Sequence, residues 1–135
     1  MSFEVYVQWF RDGEGDGVPE ERIRELFGEA LKVEDELGWR LSYGPDMTCD
    51  VYLSRREDGS VEGITVHRPV DAPELWQALF DLLGVQNAVF FFPGGGLFVR
   101  STDARAQLPP DMTEALGSPS LVTSAADLVR TLDAA

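Results

Sequence analysis

One segment of this sequence combines helical periodicity with a wide apolar surface, and it limits the folds that the chain can adopt. Between residues 71 and 84, large apolar side chains recur at helical spacing and leave only a narrow stripe around Glu74, Gln77, Ala78 and Asp81. The apolar positions are Leu75, Trp76, Leu79, Phe80, Leu82 and Leu83. A helix of this kind needs an extensive apolar partner, so we expect it to be the main filler of the core.

The ends of the predicted helices are marked by capping signals. Asp71 followed by Glu74 favours a helix start with a capping box, and Gly84 is a fitting stop. Upstream, Pro19 and a helical apolar repeat predict an amphipathic helix over about 19–31. A short helix is predicted over 110–116, and Ser124 begins a last one that runs to Leu132.

Alternating and β-branched segments predict the sheet on which these helices pack. Strands are expected over 2–11, 39–43, 49–54, 61–67, 88–92 and 97–100, with turns at Asp58-Gly59 and Gly94–Gly96. The predicted fold class is α+β: a single domain over residues 1–135, with a mostly antiparallel sheet of about five to six strands and helices packed on one face. The strand–helix–strand unit at 61–92 favours one parallel pair within that sheet.

The charge balance restricts the kinds of partner. The chain has 24 acidic and 11 basic residues, for a net charge of −13. Such a field repels nucleic acids and anionic membranes and attracts basic proteins, although solubility alone also explains it. Ten of the 11 basic residues are arginine, which is typical of a GC-rich bacterial genome. With one cysteine, no apolar run of membrane-spanning length and no basic, apolar leader, we expect a cytoplasmic protein without an intramolecular disulfide.

Acidic residues are concentrated between Asp12 and Glu36, where ten of them accompany only three basic residues. Glu21, Glu25 and Glu29 repeat every four residues, and like charges at this spacing destabilise a helix. We therefore predict a surface that binds a basic protein, and a merely solvated surface is the alternative. The predicted partner-binding residues are Asp16, Glu21, Glu25, Glu29, Glu34, Asp35 and Glu36.

No motif predicts a metal site, a cofactor site or catalytic residues. The acid- and glycine-rich segment 12–17 has the early spacing of a calcium loop, but its twelfth position is Ile23 instead of a glutamate. Gly94–Gly96 precede a predicted strand, unlike the glycines of a phosphate-binding loop. Metal binding by Cys49 and His67 alone is not expected, because a zinc site needs three or four ligands.

Two other functions stay open. The first is an enzyme of unrecognised type, in which Cys49, His67 and acids of the strands converge on a pocket. The second is an accessory homo-oligomer that associates through exposed aromatics such as Tyr6 and Phe10. Monomer and homodimer are both compatible with the sequence.

Several segments together suggest a family resemblance: the opening Met1–Gln8, the Phe92-Pro-Gly-Gly-Gly turn, Pro110-Asp-Met, and Val122–Asp127. They resemble a family of small acidic stand-alone bacterial proteins of uncharacterised activity. In size, acidity and lack of catalytic motif, the chain is also similar in type to immunity proteins of polymorphic toxin systems. This second likeness implies a non-enzymatic inhibitor that neutralises a toxin domain, in the manner of a toxin–antitoxin pair, and it assigns no site residues.

Overall fold

The computed structural model describes residues 3–36 and 38–133, which form one α+β domain as the sequence predicts. The strands in these ranges are β1 Glu4–Arg11, β2 Glu14–Gly15, β3 Leu31–Glu34, β4 Trp39–Ser42, β5 Thr48–Arg55, β6 Val61–His67, β7 Ala88–Phe92, β8 Gly96–Val99 and β9 Ser120–Leu121. The α-helices are α1 Glu20–Phe27, α2 Pro73–Leu83, α3 Thr102–Ala106, α4 Pro110–Leu116 and α5 Ala125–Asp133, and Gly28–Ala30 form a 3-10 turn.

The strands lie in the order β3-β4-β5-β6-β1-β7-β8-β9, and β2 pairs with the end of β1. Every pairing between named strands is antiparallel except that of β8 with β9, so the predicted mostly antiparallel sheet is confirmed. The predicted direct pairing of the strands that flank α2 is wrong. Strands β6 and β7 run in the same direction, but β1 lies between them and pairs with both.

Helices α1, α2 and α5 cover one face of the sheet, where the main core lies. All six large apolar side chains predicted for α2 are at most 8% exposed. They pack with Val5, Val7 and Trp9 of β1, and with Ile23 of α1 and Leu128 of α5. Ala78, which we assigned to the polar stripe, is also buried at 5% exposure. The expectation that α2 fills the centre of the core is confirmed.

A smaller core lies on the opposite face, at the β7–β8 end of the sheet. Val89, Leu97 and Val99 point away from α2 and pack with Ala104 of α3 and with Leu108. Helices α3 and α4 therefore cover this end, in addition to the helices on the main face. In the part of the chain that the structure describes, no helix lies over the outward side chains of β4, β5, β6 and most of β1. We call this surface the open face; its residues are Glu4, Tyr6, Gln8, Arg40, Ser42, Thr48, Asp50, Tyr52, Ser54, Thr65 and His67.

Several local boundaries differ from the predicted ones. Helix α1 ends at Phe27 instead of residue 31, because Gly28 adopts a positive φ of 57° and donates its N–H to the Arg24 carbonyl. The segment after it pairs with β4 as strand β3. Helix α2 is preceded by Ala72 as N-cap, with no side-chain cap from Asp71, because Pro73 takes the first helical position.

The acid- and glycine-rich segment 12–17 is largely a hairpin and not the open loop that we expected. Asp12 and Gly13 both have positive φ values, 51° and 81°, as in the tight turn that Asp-Gly favours between paired strands. The Gly13 N–H donates to the Gln107 carbonyl, so the turn is fastened to the region after α3. None of the described helices is long and apolar enough to cross a membrane.

Candidate functional site

An acidic surface is built around the side chain of Arg24 on α1. Its guanidinium donates to Glu20 at 2.8 Å and to Glu21 at 2.5 Å, and it reaches Glu34 of β3 at 2.7 Å. The same group lies 5.4 Å from the ring centroid of Trp39, a cation–π distance. The hydrogen bond to Glu34 raises the pKa of Arg24, so the cation is a permanent part of this surface.

A second arginine, Arg55 at the end of β5, joins the cluster through Glu20, whose other carboxylate oxygen accepts its Nε–H at 2.7 Å. Partial burial opposes ionisation of Glu20, but the hydrogen bonds from Arg55 and Arg24 outweigh it and lower the pKa of Glu20. Asp35 and Glu36 line the same hollow beside Trp39. We call Glu20, Glu21, Glu34, Asp35 and Glu36 the acid edge. The acid edge has five carboxylates, and only two arginines, Arg24 and Arg55, lie among them. The net charge of this surface is therefore negative.

The other predicted glutamates lie away from this edge. Glu25 pairs with Arg22 at 3.3 Å, and both side chains are exposed. Glu29 lies beyond the end of α1, in the 3-10 turn, and forms no hydrogen bond or ion pair with any described residue. The prediction that Glu21, Glu25 and Glu29 form one helical stripe is therefore wrong, because Gly28 ends the helix before Glu29.

Asp16 is held by internal contacts and is separate from the acid edge. One of its carboxylate oxygens accepts from the Gly17 N–H at 3.0 Å, and the other from Gln86 Nε2 at 2.9 Å. Arg11 approaches the latter oxygen at 3.6 Å. The side chain of Asp16 is 18% exposed, and it ties the β1–β2 hairpin to the segment before β7.

A shallow hollow of about 370 Å³ lies on the other side of the β3–β4 hairpin, at the rim of the open face. It is lined by Val33, Asp35, Gly38, Trp39, Arg40, Asp50 and Tyr52. Val33 is 50% exposed and Tyr52 44% exposed, so apolar and aromatic groups stand next to the acid edge. Sequence reasoning missed Val33 because it extended α1 through residue 31. A signal for this strand was present in the sequence: Gly28 is a typical helix end, and Leu31-Lys32-Val33 after it alternate between apolar and charged residues.

A hydrogen-bonded group on the open face joins the only histidine to two residues of β1. The Tyr6 hydroxyl donates to one oxygen of Glu4 at 2.7 Å, and His67 Nδ1 lies 3.0 Å from the other. The bond from Tyr6, and then that from His67, lowers the pKa of Glu4, and the same Glu4 raises the pKa of Tyr6. Tyr6 also stacks on Phe91 with a centroid distance of 5.1 Å, so this group is in contact with strand β7.

The thiol–imidazole pair considered in the sequence does not form. Cys49 points into the main core and is 4% exposed, whereas His67 points to the open face. Adjacent strands β5 and β6 carry them on opposite sides of the sheet, so the thiol and the imidazole do not meet. Among the described residues, no three His, Cys, Asp or Glu side chains are grouped so as to hold a metal ion.

The buried thiol leads to a prediction of low reactivity. Burial raises the pKa of Cys49 to about 11, from an ordinary value of 9.0. Because the thiolate is the reacting species, we expect Cys49 in the folded protein to react with a disulfide reagent at pH 8 at least about a hundredfold more slowly than in denaturant. The absorbance of the thiol that the reagent releases measures the reaction rate in both states. Equal rates would place Cys49 at the surface.

Comparisons with protein-family models, with curated proteins and with solved structures give no match to this chain. The family resemblance drawn from the sequence therefore stays a prediction.

Proposed function

We propose that this chain is a cytoplasmic binding protein of the inhibitor or immunity type, which neutralises a more basic protein such as a bacterial toxin domain. The observation that carries this proposal is the excess of carboxylates at the acid edge, on a protein with a net charge of −13. Catalysis is no part of the proposed role. Its partner is a protein, because the overall charge opposes nucleic acids and anionic membranes.

The arrangement of the acid edge suits a protein partner. Glu20 and Glu34 are fixed by Arg24, and they present carboxylates in defined positions instead of on freely rotating chains. Glu21 has a side-chain exposure of 78%, so it remains available to a partner despite its contact with Arg24. Val33, which is 50% exposed, supplies apolar area directly beside these charges. Interfaces commonly combine such an anchor with a charged rim.

Charge reversal at this surface tests the proposal. A partner is first captured from the lysate of the native host and identified by mass spectrometry. We expect the triple variant Glu21→Lys, Glu34→Lys, Glu36→Lys to associate with it at least about tenfold more slowly at low salt, because complementary charge acts mainly on the association rate. The difference should shrink as the Debye length falls below about 8 Å. Stopped-flow or biosensor kinetics across a salt series provide the measurement.

A matched control separates a local effect from one of net charge. Asp103, Asp111 and Glu114 are exposed acids on α3 and α4, at the other end of the sheet. Their reversal to Lys changes the net charge by the same amount. We expect it to slow association much less than the triple variant at the acid edge. If both triple variants slow association equally, or neither does, the acid edge is a solvated surface and the proposed binding site is wrong.

A further inference from the structure

The open face differs in charge from the rest of the molecule. Among its outward side chains only Arg40, Asp50 and Glu4 carry a full charge when His67 is neutral, which gives the face a net charge of −1. The chain as a whole carries −13. Two copies of so acidic a protein repel each other at most orientations. The open face is where they can meet with little repulsion, and in that orientation the acid edge stays at the rim.

Basic and acidic residues alternate along one row across the strands of this face, with the imidazole of His67 at one of the basic positions. In the pairing register, Arg40 is opposite Asp50, Asp50 is opposite His67, and His67 is opposite Glu4. Within the row, Arg40 bonds Asp50 at 3.1 Å and His67 lies 3.0 Å from Glu4. The row therefore presents a basic, an acidic, an imidazole and an acidic group in turn.

This row is complementary to itself under two-fold symmetry. A two-fold axis that runs parallel to the strands, between β5 and β6, reverses the order of strands in the second copy. Arg40 then faces Glu4 of the other copy, and Asp50 faces its His67. Two-fold dimers need such a self-complementary patch, in which each contact occurs twice.

The neighbouring row fits the same axis. It contains Tyr52, Thr65 and Tyr6, which are opposite one another in the register of β5, β6 and β1. Tyr52 of one copy faces Thr65 of the other near the axis. Tyr6 faces the position of Gly38, where the Tyr52 ring of that copy lies, since a Cβ added to Gly38 would come within 2.9 Å of this ring. The tyrosines of the two copies thus come together on either side of the axis.

We infer that the open face is a homodimer interface, in which two copies stack sheet on sheet about the axis between β5 and β6. Four strands spaced by about 4.8 Å make the face roughly 20 Å wide. The area that it can bury is therefore at the small end for protein interfaces. We therefore expect a dimer in exchange with monomer.

This interface is distinct from the acid edge and does not depend on the proposed toxin partner. Phe10, named in the sequence analysis as an exposed aromatic, takes no part because it packs against the α3–α4 core.

Sedimentation equilibrium over a range of protein concentrations tests the inference. The experiment is run at about 0.15 M salt, which screens the repulsion between the two acidic bodies. We expect the apparent mass to rise with concentration from 14.9 kDa towards twice that value. Thr65→Glu places like charges near the axis and should weaken self-association at least tenfold. The control Thr102→Glu adds the same charge at the exposed start of α3 and should leave it unchanged.

A charge exchange tests the facing pairs themselves. Arg40→Glu and Glu4→Arg should each weaken the dimer at least tenfold. The double variant should recover most of the loss, because the two exchanged charges again face each other, with opposite signs, across the axis. Circular dichroism checks that each variant is folded. A mass that stays at that of the monomer up to the highest concentration overturns the inference. So does a dimer that Thr65→Glu leaves intact, or one that the double variant does not restore.

Discussion

Replacing Trp9 by Ala is expected to lower the free energy of unfolding by about 3–5 kcal/mol. Trp9 lies on β1, in the middle of the sheet, and its side chain is fully buried among α1, α2 and the neighbouring strands. Its indole N–H donates to the Val85 carbonyl at 2.8 Å. The change removes the largest fully buried side chain and leaves that carbonyl without its donor. Chemical denaturation, followed by circular dichroism, measures the loss.

Two further variants of β1 separate the packing and hydrogen-bond contributions of Trp9. Trp9→Phe keeps an aromatic ring but removes the donor, and we expect it to cost less than the alanine variant. Gln8→Ala changes the next residue along the same strand, on the open face, and should alter the unfolding free energy by no more than about 0.5 kcal/mol. If Trp9→Ala costs as little as Gln8→Ala, then the side chains of β1 are assigned to the wrong faces of the sheet.

The alternation of β1 shows how much of this fold could be predicted from sequence. Val5, Val7 and Trp9 share one face and are buried, whereas Tyr6 and Gln8 are not. A period of two fixes which residues lie together, and so the strand and its two faces were predictable. It does not say which strands flank it. The position of β1 between β6 and β7 depends on long-range packing, and this is why the predicted parallel pairing was wrong.

The short elements were missed because local signals compete there. Leu31 continues the apolar repeat of α1, so periodicity favoured a longer helix, while Gly28 and its positive φ end it. Asp12-Gly13 is a turn signal, but the acids and glycines around it favoured a loop. In both cases the turn residue was present in the sequence, and it was the better guide.

The candidate site was predictable in composition but not in geometry. Counting charges placed a negative excess between residues 12 and 36, and the acid edge lies within that range. A count of charges does not reveal that Arg55, on a strand far along the chain, also binds Glu20. It does not reveal the alternation of basic and acidic residues across the open face either, because that arises from the register of four strands.

Replacing Trp76 by Ala is the second substitution with a large expected effect, a loss of about 3–5 kcal/mol of unfolding free energy. Trp76 lies on α2, is 5% exposed, and meets the ring of Phe90 edge-on at a centroid distance of 6.4 Å. The cavity left by alanine would lie between the helix and the centre of the sheet, where both elements are held by other contacts. The site therefore has little scope to collapse.

Variants of Phe80 and Gln77 on the same helix test whether the loss of stability depends on burial of the side chain. Phe80 is 8% exposed, and its ring is covered by the guanidinium of Arg100 at 4.3 Å, a mobile group that can partly fill the space left by Phe80→Ala. We expect that variant to lose about 3 kcal/mol. Gln77→Ala, on the exposed side of α2, should change stability by at most about 0.5 kcal/mol. Thermal and chemical unfolding rank the three variants. A loss below about 1 kcal/mol for Trp76→Ala would contradict the burial of α2, because removing so large a buried side chain costs more than that.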